Sequence, residues 1–340
     1  MRSVVRAVNH PIEIGQYYHG EDRYRSGRFR TRWHGWCSWV RADHRRLWAA
    51  RFLGSGVFVA VCLGRFETIP YSKRNHFVIL RREWEKMLGE YTFEEMKKEK
   101  TTGSILSDRY LQTRRVRRIA NEITQALMRG ISREDKEKGR RWWRGSRVAT
   151  SHLDGLKWEI YVVDQPIINA CCLPGGKIVV FTGLLRHFKS DEEIATILGH
   201  EFGHAVARHT AETITNYMWL VILQLIFFQF FSGAVAAHSF DKLSNLLFSL
   251  PFSRRMEMEA DHIGLLLLAS AGYDPRVAPG VYQKLKLAGE TPNQKDYLST
   301  HPTGKKRAEK LAEANVMKEA LSIYQDVQAA RGGRRGFLRR

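Results

Sequence analysis

The sequence predicts an α+β fold that is mainly helical, and three observations predict it. Short β-rich runs cluster in one place, between residues 158 and 181. Apolar residues at three- and four-residue spacings dominate before and after that cluster, the mark of helices with one buried face. The chain is 340 residues long, 44% apolar and 26% charged, the ordinary balance of a folded protein with a sizeable core. Residues 65–325 suit one domain, flanked by an N-terminal segment, 1–64, and by a basic tail, 326–340, expected to be disordered.

The elements follow in chain order. Residues 1–51 contain no lysine, and within 1–32 Arg2, Arg6, Arg23, Arg25, Arg28, Arg30 and Arg32 face only Glu13, Glu21 and Asp22. Arg-rich, acid-poor composition marks either a mitochondrial transit segment or a basic arm for nucleic acid or membrane. In LWAARFLGSGVFVAVCLG (Leu47–Gly64) the uncharged run 52–64 falls short of the ~20 residues a spanning helix needs. It is a marginal membrane anchor or part of the import signal. Residues 83–100 read as a solvated, charged helix. From 105 to 128 an amphipathic helix is expected, with Ile105, Tyr110, Val116, Ile119, Ile123 and Leu127 on its dry face, followed by a polar connection at 129–147.

WEIYVVD (158–164), PIINACC (166–172) and KIVVF (177–181), with LPGG as a turn, predict a small antiparallel sheet. Ser190 with Glu193 has the spacing of a capping box and opens the next helix. YMWLVILQLIFFQFFSGAVAA (217–237) carries no charge and is long enough to cross a bilayer. A buried or membrane-grazing hairpin is the alternative.

Fifty-five Lys and Arg against 35 Asp and Glu leave a net charge of +20, which favours an acidic partner. The partner expected here is anionic membrane lipid; nucleic acid is not expected, and a homo-oligomer is left open. Cys37, Cys62, Cys171 and Cys172 form no C-x-x-C pair. That excludes a Cys-based zinc site and a disulfide framework, and fits a reducing compartment.

The helix opened by Ser190 carries ILGHEFGHAVARH (197–209), in which two glycines, an acid and three histidines share what should be a helix interior. His200 and His204, four apart, lie one turn apart on one face and can reach the same metal ion, with Glu201 beside them as general base. Histidine ligands and a borderline-soft ion point to zinc, one Zn2+ per chain. A histidine in H-E-x-x-H-x-x-G-x-x-H cannot be the third ligand, because Ala207 and Thr210 stand where that motif needs Gly and His. His209 is expected to be an ordinary surface residue. RRMEMEADHIGLLLL (254–268) offers instead Glu257, with Asp261 one turn on to accept the outer N–H of a ligating histidine. Glu259 points away from that face. Gly199 and Gly203 are expected to let a strand or the substrate approach the helix closely.

GHEFGH, SRRMEMEADHIG, NACCLPGGKIVVFTGLL and THPTGKKRAEKL, in this order, resemble the HtpX and CaaX-prenyl-endopeptidase family of gluzincins, above all its mitochondrial Oma branch, as does ETIPYSKRNHFVIL (67–80). The similarity covers roughly residues 65–320. It implies a gluzincin metallopeptidase domain with His200, His204 and Glu257 as zinc ligands and Glu201 as the catalytic glutamate. His301, in STHPT, matches a family histidine near the reaction centre and Arg307 a family arginine; either would stabilise the oxyanion. Asn169 and Ala170 match the strand that holds an extended substrate, so that an edge at 167–170 would bind peptide by β-augmentation. Cys171 and Cys172 depart from the family's usual small or apolar residues. The function implied is a zinc endopeptidase of the mitochondrial inner membrane, acting on misfolded or stress-exposed membrane proteins. The alternatives are a prenyl-protein or general membrane protease of another compartment, and a non-catalytic metal-binding scaffold.

Overall fold

The computed structural model describes residues 64–98, 104–139, 155–230, 250–289, 301 and 305–337, together with Arg51, Gly54, His152 and Leu153. The Arg-rich segment and nearly all of Leu47–Gly64 lie outside the described residues.

The chain enters through a hairpin, β1 (Arg65–Thr68) against β2 (Asn75–Val78), with Arg65 opposite Val78. Helix α1 (Arg82–Lys98) follows. It is not solvated all round: Gly89, Phe93 and Met96 are buried. Gly89 is required there, because a Cβ at that position would lie 1.7 Å from the carbonyl oxygen of Pro174. Helix α2 (Leu111–Gly139) buries Val116, Ile119, Ile123 and Leu127 as the periodicity demands. It begins later and ends later than expected. Ile105 forms a bridge to Val163 instead, and Tyr110 is exposed ahead of the first turn. The stretch read as a polar connection is helical as far as Gly139, since its Arg, Glu and Lys residues are good helix formers.

The sheet is mixed rather than antiparallel. β3 (Glu159–Val163) runs parallel to the central strand β5 (Lys177–Phe181), and β4 (Ala170–Leu173) pairs antiparallel to β5 on the other side. The LPGG turn makes β4 and β5 a hairpin, with Gly175 and Gly176 at φ of 80° and 84°, and places β4 on the edge. β3 then has only the far side of β5 to join, where its direction matches. Alternation along the strands divides the sheet's two faces. Ile160, Val162, Ile178 and Val180 join the main core with α2, while Val163, Val179 and Phe181 pack on Phe93 and Met96 of α1.

After a short helix α3 (Thr182–His187) comes α4 (Asp191–Val206), which is buried along most of its length. The capping box is formed: Ser190 Oγ accepts from Glu193 N–H at 3.1 Å, and Glu193 Oε2 accepts from Ser190 N–H at 3.0 Å. Then follow α5 (His209–Phe230), α6 (Leu250–Ser270), a 3-10 turn (Pro275–Val277), α7 (Ala278–Gly289), α8 (Lys305–Leu311) and α9 (Ala314–Phe337). The run 217–237 does not stand as a helix of its own. Residues 217–230 continue α5, which starts at His209 with polar residues; 231–237 lie outside the described residues. Among the described residues no helix is long and apolar enough to cross a membrane. The expected disordered tail is helical through Phe337, because α9 docks: Ile323 and Tyr324 pack on the core, and Arg331 donates to the Ala271 carbonyl at 2.7 Å.

Gly199 and Gly203 do admit a close neighbour, but it is α6 rather than a strand or the substrate. A Cβ on Gly203 would meet the Ala260 carbonyl oxygen at 2.5 Å, and one on Gly199 the Gly264 oxygen at 2.9 Å. The glycines thus bring the two site-bearing helices together.

Candidate metal centre

Helix α4 presents His200 and His204 on the face turned toward α6, and α6 presents Glu257 to them. His200 Nε2 lies 3.1 Å from His204 Nε2 and 3.4 Å from Glu257 Oε2; His204 Nε2 lies 3.3 Å from Glu257 Oε1. His301 joins the group, its Nδ1 3.2 Å from His200 Nε2 and 3.1 Å from Glu257. One ligand atom from each of the four lies within 4.8 Å of every other. Ligands ~2.0–2.1 Å from a tetrahedral zinc stand ~3.3 Å from one another, which is the spacing seen here.

The donor chemistry also fits a cation. His200 Nδ1 is turned to Asp261 Oδ1 at 2.9 Å, and His204 Nδ1 to His209 Nδ1 at 2.9 Å. Both Nε2 lone pairs therefore face the same small space, where they repel unless a positive charge sits between them. Asp261 is held by two bonds from Arg307, both 2.7 Å, and Arg307 Nη1 also lies 2.9 Å from Glu257 Oε2. The guanidinium thus sits behind the carboxylates, in buried surroundings.

Residues 139–315 match the model of peptidase family M48. The chain is 46% identical to the mitochondrial metalloendopeptidase OMA1 of Arabidopsis thaliana, across 98% of this chain and 77% of that protein. It is 32% identical to the OMA1 of Schizosaccharomyces pombe (84% and 77% covered) and 30% identical to that of Saccharomyces cerevisiae (83% and 76%). The chain belongs to peptidase family M48. It is a mitochondrial metalloprotease, and membership of a metalloprotease family implies a metal cofactor and peptide or protein substrates.

In this M48 peptidase Glu201 is buried beside the ligand set, and burial raises its pKa above the usual carboxylate range. Its Oε2 accepts the Cys172 N–H at 2.9 Å, while Oε1 finds no hydrogen-bond partner among the described residues and stands 3.5 Å from His301 Nε2. Burial pushes His204 down to about 3, against the pull of Glu257. Burial would raise Glu257, but the charges of His301 and His204 hold it well below its ordinary value. A cavity of about 410 Å³ opens beside His204 and is lined by Cys172, Leu173, Pro174, Lys86 and Arg208 among others.

The proposed substrate edge is displaced from its expected place. The strand begins at Ala170, and the Asn169 carbonyl accepts from Phe181 N–H inside the sheet, so Asn169 offers no outward carbonyl. The residue whose amide turns outward is Cys172, toward Glu201, and by the two-residue alternation Ala170 turns the same way. Sequence reasoning also dismissed His209. It is buried, bonded to His204 on one side and to Glu259 Oε2 at 3.1 Å on the other. The reason is Arg208, whose φ of 53° breaks the helical path after Val206 and swings His209 back onto α4. Glu259, set aside because it points away from the metal face, does so and meets Arg74 and Ser72 instead.

Proposed function

We propose that the chain is a zinc endopeptidase of the mitochondrial inner membrane whose substrates are misfolded or stress-exposed membrane proteins. The observation that carries the catalytic part is the convergence of His200, His204 and Glu257 beside a buried carboxylate, Glu201, with one unused oxygen. His200, His204 and Glu257 would hold the zinc, with Asp261 fixing the His200 tautomer. When bound, the ion supplies Lewis acidity that polarises a carbonyl and makes water more acidic.

The rest is done by the chain's own side chains. Glu201 takes a proton from the attacking water at Oε1 and returns it to the leaving amine; its raised pKa suits a group that must do both. His301 Nε2 faces the same space and donates to the developing oxyanion. Arg307 is less well suited to that part, since Asp261 and Glu257 already engage it. The edge of β4 offers the backbone groups of Ala170 and the carbonyl of Cys172, whose N–H Glu201 already engages, to an extended peptide. Recognition through backbone favours any chain that exposes an unfolded stretch, which supports the quality-control reading.

Glu201→Gln tests the mechanism. Cleavage of an unfolded protein should fall by about 10²–10⁴, while one zinc per chain stays bound. Undiminished cleavage would refute the assignment.

A further inference from the structure

The β1–β2 hairpin lies outside the matched stretch 139–315, yet it reaches the metal centre through a continuous line of buried and half-buried hydrogen bonds. Arg74 Nε donates to Glu259 Oε2 at 2.7 Å, and Ser72 Oγ donates to Glu259 Oε1. Glu259 Oε2 lies 3.1 Å from His209 Nε2, and His209 Nδ1 lies 2.9 Å from His204 Nδ1. We propose that Arg74, Glu259 and His209 form an outer relay that fixes His204 in its Nδ1–H tautomer, so that the hairpin is a working part of the metal centre. The inference rests on reading His204 as a zinc ligand.

The argument is one of proton positions. A neutral imidazole carries one N–H. For His204 to present a lone pair at Nε2, its proton must be on Nδ1, where the acceptor within reach is His209 Nδ1. That nitrogen accepts only if the His209 proton is on Nε2, facing Glu259. Glu259 accepts it at Oε2, the oxygen to which Arg74 Nε also donates; a guanidinium has only donors and cannot reverse the order. Each proton is placed by the next group outward, and the line ends on the hairpin. A second guanidinium edge fixes Arg74 itself, bonding both oxygens of Glu212 on α5 at 2.7 and 2.6 Å. The pattern parallels His200–Asp261–Arg307 across the site but recruits a segment distant in sequence. These are positioning residues: none lies among the converging ligand atoms.

The test uses the full chain and measures zinc affinity by competition with a chromophoric chelator, with apo-protein circular dichroism as the check on folding. Wild type should bind one zinc. Arg74→Met and His209→Phe should each weaken binding by about 10–100-fold, as loss of an outer partner does. The double variant should be no weaker than the worse single one, because both cut the same line. His209→Gln, whose amide oxygen can still accept from His204 Nδ1–H, should recover most of the affinity lost in His209→Phe, and it carries the test if the phenylalanine variant does not fold. Wild-type affinity in a folded Arg74→Met or His209→Phe variant, additive losses in the double variant, or no recovery in His209→Gln would overturn the relay. Absence of zinc binding by wild type would instead overturn the metal reading beneath it.

Discussion

Replacing Gly203 by alanine sets two effects of opposite sign against each other. In a free helix alanine is favoured by ~1 kcal/mol. In this fold the added Cβ would stand 2.5 Å from the Ala260 oxygen, 3.0 Å from its Cα and 3.1 Å from its carbonyl carbon. Ordinary contact begins at 3.4 Å, so α6 must retreat by as much as 0.9 Å (3.4 less 2.5), and the obstacle is backbone, which cannot swing aside. Overpacking of this kind costs about 1–3 kcal/mol, leaving a net loss of up to ~2 kcal/mol. The sharper effect is on the metal. Glu257 lies three residues before Ala260 on the same helix, and ligand distances tolerate only about ±0.2 Å. Zinc affinity should therefore drop at least about tenfold, ~1.4 kcal/mol. Urea unfolding of the apo-protein and chelator competition measure the two terms separately. A variant ~1 kcal/mol more stable than its parent, with unchanged zinc affinity, would show that helix propensity wins and that the close crossing does not hold the site.

Other expectations follow from the charges. Glu257→Ala should lose stoichiometric zinc, read by metal analysis after gel filtration, and full retention would remove that residue from the ligand set. Arg208→Met should destabilise the fold by about 3–5 kcal/mol, because Arg208 lies 2.6 Å from Glu67 and 2.7 Å from Glu85 and its loss leaves buried Glu85 without its cation and Glu67 with His76 alone; an unchanged urea midpoint would contradict this. Burial opposes the charge of Glu67, Glu212 and Glu259, yet hydrogen bonds from His76, Arg74 and His209 respectively lead the effects that hold each down to about 2 from an ordinary 4.5. Their contribution is complete above pH 4.5 and is lost as pH falls toward 2. His76 is raised above 6.5 despite burial, so its contribution is complete below 6.5 and fades as pH climbs through its folded value. The hairpin's attachment should be firmest between 4.5 and 6.5, and equal urea midpoints at about pH 3 and about pH 5.5 would contradict that window.

What could be read beforehand was local. The spacing of His200 and His204, the Ser190–Glu193 cap and the dry face of α2 follow from helical geometry, which a sequence carries in its intervals. Glu257 and Asp261 were readable for the same reason, plus the penalty on carboxylates ahead of an apolar run. The failures share a different cause. The direction of β3 depends on which side of β5 is free, a property of the assembled sheet. The true neighbour of Gly199 and Gly203 is another helix, which no interval announces. His209 was assigned to the surface on the assumption of an unbroken helix, and one residue with positive φ, Arg208, reversed its direction. A positive φ at arginine has no compositional mark, whereas at Gly175 and Gly176 it did.

The ionic ties between the opening hairpin, α1 and the helices beyond residue 200 bear on how this peptidase can be dissected. A fragment cut to the family boundaries, 139–315, would strip Glu212 and Glu259 of Arg74, and Arg208 of Glu67 and Glu85, stranding ions whose burial is worth several kcal/mol apiece. Such a truncate should emerge from cells as insoluble material. The shortest piece worth expressing starts ahead of Arg65.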